Sequence, residues 1–341
     1  MTRNKMPEQR NYYSEITIMR GILAVLVVLG HVVTQLENLD SMEKKIFDIL
    51  GNCIYSFHMP MFFVISGFVS VRVLRCNTLE MKLNFIKTKF LRLMIPYFTM
   101  GCIYLPFKVL LNKISRSDYS IWDFWKIIMG ENPDGALWFL YTLFLISVLI
   151  CIVSTGNNIY AIIAVSLILY ISSCIFDCSF RLFNYVSDYL FFYILGLCIR
   201  LHYDGLMQKI KYSKKMPFMA VVFGIVYIIG NIFSFYYGIK FIHIFTALSG
   251  TFLVWLISLV IVNKRKSQIY KYCNMFGEYA MDIYIFGEPI KVVARTLLKN
   301  VRPSIMVPGV LATVIIISLL VSKFIIRRNK NLYFLFLGQF R

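Results

Sequence analysis

Residues 19–33, MRGILAVLVVLGHVV, form an apolar run with Arg20 near one end and His31 near the other. Eleven residues make close to three helical turns, so both side chains fall on nearly one face, roughly 16 Å apart along the axis. A guanidinium or an imidazole facing lipid costs a few kcal/mol near the bilayer centre. The shared face is therefore expected to look into the protein or a wet cavity. One charged donor near the cytosol and one titratable base further across describe a route that crosses the membrane. The alternative is plainer: Arg20 snorkels to the interface and His31 bonds a helix carbonyl.

Two further stretches hold polar groups at membrane depth. In FHMPMFFVISGF, residues 57–68, Pro60 breaks the helix near its start, and His58 either binds a polar substrate or caps irregular backbone. Ser66 and Gly67 are small enough for close helix approach. In FGEYAMDIYIFGEPI, residues 276–290, Glu288 either orients His31 or a substrate hydroxyl, or pairs with Lys291 at i, i+3. Glu278 and Asp282 share a face nearer the cytosol and are expected to pair with basic loops. The eight cysteines include no CxxC pair, and no His or acidic cluster joins Cys174 and Cys178, so no metal site is expected.

The elements that carry these residues are membrane helices. The chain is 59% hydrophobic and only 16% charged, with a mean hydropathy of +0.69. Soluble domains carry about a quarter charged residues. Ten spans are predicted, at 17–36, 53–74, 92–112, 136–154, 159–176, 184–201, 217–236, 241–262, 277–298 and 304–326. The run after the polar N-terminus lacks a small-residue cleavage site, so the first helix is expected to remain as an anchor. With the N-terminus inside, 23 Lys and Arg fall on the cytoplasmic side and 12 outside, Arg20 lying within the first span. The expectation is an all-α integral membrane protein of about ten transmembrane helices with both termini cytoplasmic. Residues 1–16 and 327–341 would be the tails and 17–326 the membrane domain. The net charge of +19 then follows from topology and implies no nucleic acid. Residues 78–92 read as an amphipathic helix in the cytoplasmic interface. Trp122, Phe124 and Trp125 read as a headgroup belt or an outer lid. No internal repeat supports an inverted-repeat transporter.

In order and spacing, RGILAVLVVLGH, FHMPMFFVISGF, KTKFLRLMIPYF, ALWFLYTLFL, ALSGTFLVWLIS and FGEYAMDIYIFGEPI resemble the acyltransferase-3 family over essentially the whole chain. The Arg-x10-His and Phe-His-Met-Pro segments are its most specific parts. Members are membrane-bound transferases that use acyl-coenzyme A and often O-acetylate surface and cell-wall glycans. The resemblance implies transfer of an acetyl or similar short acyl group from cytosolic acyl-coenzyme A to a hydroxyl of an envelope polysaccharide or glycolipid. It implies the plasma membrane of a bacterium, with lipid, acyl-coenzyme A and a glycan as partners and no permanently bound cofactor. Relatives often carry an appended hydrolase-like domain; this chain is expected to be the stand-alone membrane form.

The resemblance also assigns residues. The family's pair falls on Arg20 and His31, with His31 as the catalytic base. Its basic pair, usually Arg-x-x-Arg before the third helix, falls on Lys89 and Arg92; lysine keeps the charge and loses the bidentate fork. After Ile283 and Tyr284, Gly287 stands where many relatives have His. Either Glu288 beside it supplies that polar function or the role is absent. His58, Glu288 and Tyr284 are thus the acceptor or accessory candidates, and Lys89, Arg92 and Arg20 the donor-binding ones. The donor is anionic and phosphate-rich, which suits cations clustered in the 72–92 segment. Two other classes stay open: a transporter or flippase for a glycan or lipid-linked sugar using Arg20, His31 and Glu288 as its pathway, and a sensor or scaffold.

Overall fold

A computed structural model describes residues 13–36, 39–110, 119–154, 158–176, 178–211, 216–238 and 240–340. Most of the expected N-terminal tail, with Arg3, Lys5 and Arg10, lies outside them, as do Lys113 and Arg116. Among the described residues all regular structure is helical. Eight helical segments are long and apolar enough to cross a membrane. Of the other two expected spans, one is the apolar but 17-residue helix Ile159–Ile175. The other is Ala280–Leu297, whose Asp282, Glu288, Lys291 and Arg295 keep its hydropathy down.

Helix α1, Ser14–Val33, lies at the centre. It packs against six others: α2 (Ser41–Tyr55), α3 (His58–Val69), α12 (His243–Asn263), α13 (Gln268–Glu278), α14 (Ala280–Leu297) and α15 (Pro303–Phe324). A helix apolar all round is one buried on all sides, and α1 is the most buried of the eight segments. The second span begins earlier than hydropathy predicts, at Ser41, because exposed Lys44, Lys45 and Asp48 on α2 mask it. Asp40 caps α2 by accepting from the Glu43 N–H at 2.7 Å. The span breaks between Tyr55 and His58, and Pro60 then sits in the first turn of α3, where no helical N–H is needed.

Helix α4, Leu79–Lys89, runs through a π-helical turn, Phe90–Met94, into α5, Ile95–Leu110. No α4 residue is buried in the protein, and Leu79, Met81 and Leu83 are exposed; α4 and α5 together make one of the eight candidate spans, Leu79–Leu110. Trp122, Phe124 and Trp125, around α6 (Phe124–Ile128), are likewise exposed. The bundle is completed by α7 (Trp138–Val153), α8 (Ile159–Ile175), α9 (Arg181–Leu201), α10 (Tyr203–Lys211) and α11 (Met216–Tyr237). The expected C-terminal tail contains a docked helix, α16 (Lys330–Leu337), which packs on α5 and buries Leu337.

Two glycine pairs set how closely the site-bearing helices approach. A Cβ at Gly67 on α3 would overlap the Tyr193 carbonyl of α9, and one at Gly196 on α9 would overlap the Val64 carbonyl of α3. Gly21 on α1 and Gly277 on α13 stand in the same reciprocal relation through Cys273 and Thr17. With no side chain between them the backbones meet directly, which is how membrane helices associate without a hydrophobic driving force.

Candidate active site

Helices α1 and α14 face each other along a seam lined by Ala24, Val27, Val28 and His31 from α1 and by Ile283, Tyr284, Gly287, Glu288 and Lys291 from α14. Phe62 of α3 closes one side. The cavity in the seam is about 20 Å3, room for about one water. The polar side chains of the lining gather at one end. The His31 Nδ1 lies 3.0 Å from the Tyr55 hydroxyl. The Tyr55 ring meets the His58 ring edge-on at 4.8 Å, and His58 Nδ1 donates to the Ile54 carbonyl at 2.8 Å. Lys291, 1% exposed, donates to Glu288 Oε2 at 2.6 Å. Asp134, fully buried before the span Gly135–Val153, accepts from the Ala136 N–H at 3.1 Å through Oδ1. Its Oδ2 has no hydrogen-bond partner among the described residues. Burial, and after it the Glu288 carboxylate, push the Asp134 carboxyl up to about 7.

The other end of α1 is cationic. Half-buried Arg20 and the exposed Arg92 of the π turn are the charged neighbours of Lys89. The Lys89 Nζ donates to Ser70 Oγ at 2.6 Å, which ties the end of α4 to the end of α3. Ser70 in turn donates to the Ser66 carbonyl at 2.5 Å. Arg20, Lys89 and Arg92 thus bring three like charges to this end of α1.

A family profile of acyltransferase domains matches residues 13–323 of the 341. The chain belongs to the acyltransferase-3 family. It is a multi-pass membrane acyltransferase. No curated protein and no solved structure matches the chain.

In this acyltransferase, Arg20, Lys89 and Arg92 come together at one end of α1, and His31, His58, Tyr284 and Glu288 at the other. Arg20 stands one turn beyond Ala24 and does not line the cavity itself. Glu288 takes the ion pair with Lys291 in preference to a bond with His31. Tyr284 donates its hydroxyl to the Ala136 carbonyl and so holds the turn that opens α7. Gly287 lines the seam, and a Cβ there would meet only Val314 and Val28, at 3.6 and 3.9 Å. The seam therefore accepts a Cβ at this position. Asp282 pairs with Arg327 at 2.8 Å, as expected of an acid near a basic segment, and Arg327 lies 3.9 Å over the Tyr279 ring.

Sequence reasoning missed Tyr55 and Asp134. Tyr55 precedes His58 by three residues, so the two rings share a helical face if the helix is read through the break. Asp134 carried no such signal, since a loop carboxylate before a span reads as solvated.

Proposed function

We propose that the protein transfers an acetyl or similar short acyl group from acyl-coenzyme A to a hydroxyl of a cell-envelope polysaccharide or glycolipid, in a bacterial plasma membrane. The reading adopts ten spans with both termini cytoplasmic, which puts Arg20, Lys89 and Arg92 at the cytosolic face. One observation carries it: a central helix with a cation cluster at one end and an imidazole in a polar pocket at the other. Together these offer a site for a phosphate-rich donor and a base for an alcohol.

In this account the nucleotide end of the donor docks at Lys89, Arg92 and Arg20. The pantetheine arm enters between α1 and α14, which must part, because the seam holds only about 20 Å3. With Nδ1–H donating to the Tyr55 oxygen, the Nε2 of His31 is left as the base. It takes the proton of the acceptor hydroxyl as that oxygen attacks the thioester carbonyl. The new C–O bond forms, the C–S bond breaks, and the coenzyme A thiolate leaves with the proton returned from His31. Tyr55 is a positioning residue. Glu288 and Lys291 keep the far wall of the pocket polar while neutralising each other, and removal of either leaves a buried charge unpaired.

The test is release of coenzyme A from acetyl-coenzyme A by the purified protein, together with a thermal shift on adding coenzyme A. A transporter or flippase shows neither, and that result overturns the reading. Two substitutions probe its parts. Lys89→Ala is expected to raise KM for acetyl-coenzyme A about tenfold or more with little change in kcat, and Lys89→Arg to keep KM near wild type. Tyr55→Phe is expected to lower kcat about tenfold, the worth of one hydrogen bond near 1.4 kcal/mol, with KM for the donor unchanged. A pH–rate profile checks that role: a purely structural Tyr55 would leave its limbs in place, whereas a hydroxyl bonded to His31 shifts them when removed.

A further inference from the structure

Behind Tyr55, on the side away from the α1–α14 seam, lies a second and larger cavity of about 250 Å3, bounded by α8, α9, α12 and the α2–α3 break. It is the polar exception in an apolar bundle. Tyr170 and Tyr189 bring aromatic rings to its wall, and Asn184, Asp188, Ser173 and His243 bring hydrogen-bonding side chains. Ser173 Oγ donates to Asp188 Oδ1 at 2.7 Å, which fixes the carboxylate toward α8. His243 Nε2 lies 3.1 Å from Ser234 Oγ, which orients the imidazole from α11. Tyr189 is held by ring stacking on Phe63 at 4.6 Å and by Trp138 at 5.3 Å. Its ring is thus a rigid part of the cavity wall.

These groups match one kind of ligand. The faces of a pyranose ring are apolar C–H surfaces that lie on aromatic rings, and its edge carries hydroxyls that both donate and accept. A carboxylate, an amide and an imidazole supply the complement, since the carboxylate only accepts while the others can do both. The volume holds one sugar ring. It is too polar for an acyl chain and carries too few cations for the phosphates of coenzyme A, Lys240 at the rim being the one lysine or arginine among the described lining residues. The cavity shares Tyr55 with the His31 pocket, so a ring seated here lies one side chain away from the base.

We propose that this cavity is a carbohydrate subsite that holds a sugar unit of the acceptor and presents the hydroxyl of that unit, or of its neighbour in the chain, toward His31. The proposal rests on the acyltransferase reading above and adds where the sugar binds. Asp188 and Asn184 accept from and donate to its hydroxyls, Tyr189 donates from the wall, and Tyr55 is the side chain past which the reacting hydroxyl reaches the Nε2 of His31.

The experiment compares two products in cells that carry the full chain as their sole copy and in membranes prepared from them. One is acetate released by mild alkali from the surface glycan. The other is coenzyme A released from acetyl-coenzyme A. When the sugar is poorly held, water takes its place as acceptor, so the ratio of ester to coenzyme A falls. Asp188→Asn is expected to lower that ratio at least tenfold, and Tyr189→Phe, which keeps the ring and its stacking, threefold to tenfold. A ratio within twofold of wild type in both variants overturns the proposal. So does equal loss of both products in protein that still folds, because the cavity would then serve the donor step. If Asp188→Asn does not fold, the Tyr189→Phe ratio decides. His31→Ala separates the two ideas: if it retains wild-type release of coenzyme A, the acyltransferase mechanism fails whatever the cavity variants do.

Discussion

Replacing His31 by alanine is expected to lower acyl transfer from acetyl-coenzyme A by about 10² to 10⁴, the usual worth of a positioned general base. An imidazole has the intrinsic basicity to take a proton from an alcohol near neutral pH. Three of its neighbours are engaged elsewhere. Glu288 is engaged by Lys291 at 2.6 Å, the His58 Nδ1 proton is committed to the Ile54 carbonyl, and Tyr284 is committed to Ala136. The substitution should leave the fold intact, because His31 is only half-buried and its one described hydrogen bond, to Tyr55, is worth about 1 kcal/mol. His31→Asn, which keeps a polar group near Tyr55 without a base, should be as inactive as alanine. Transfer assays beside melting curves separate loss of chemistry from loss of protein. Activity within threefold of wild type in either variant would remove His31 from the mechanism.

The second large effect is on folding. Gly196→Val is expected to abolish recovery of monodisperse protein after detergent extraction, a destabilisation of about 3 kcal/mol or more. A Cβ there overlaps the Val64 carbonyl and stands 2.9 Å from the Phe68 nitrogen, both of them backbone atoms that no rotamer change can move. Separating α9 from α3 to make room would draw α3 from its place, and with it the break that sets Tyr55 and His58 beside His31. Gly224→Ala on α11 is the matched control. Nothing lies within 4 Å of a Cβ at that position, so it should be neutral or stabilising by up to about 1 kcal/mol. Size-exclusion profiles of the two variants check the contrast, and a monodisperse, thermally unaltered Gly196→Val protein would contradict the helix contact.

Much of this was legible in the chain because lipid permits so few structures. Apolar runs of bilayer length gave most of the spans, and the spacing of Arg20 and His31 gave their placement on one helix. Gly67 stood out as a small residue, although its partner Gly196 did not, since reciprocal contact between α3 and α9 is a tertiary fact that no local pattern encodes. Hydropathy misjudged α2 because Lys44, Lys45 and Asp48 dilute its apolar character, and it missed α16 because a short helix after the last span resembles a tail. At the site, the Glu288–Lys291 pair was readable from its i, i+3 spacing. The bond from Tyr55 to His31 crosses from α2 to α1, and the carbohydrate-like cavity is assembled from α8, α9 and α12, so neither leaves a mark along the sequence.

The central claim is that one bundle joins a donor site at the Arg20 end of α1 to an acceptor site at the His31 end. Sealed proteoliposomes that contain the full chain and a soluble glycan acceptor on one side, with labelled acetyl-coenzyme A supplied only on the other, test it directly. The account predicts labelled ester on the acceptor across the bilayer when the donor meets the face bearing Lys89 and Arg92, and none with His31→Ala. Label appearing only when donor and acceptor share one side, or appearing equally with His31→Ala, would contradict it.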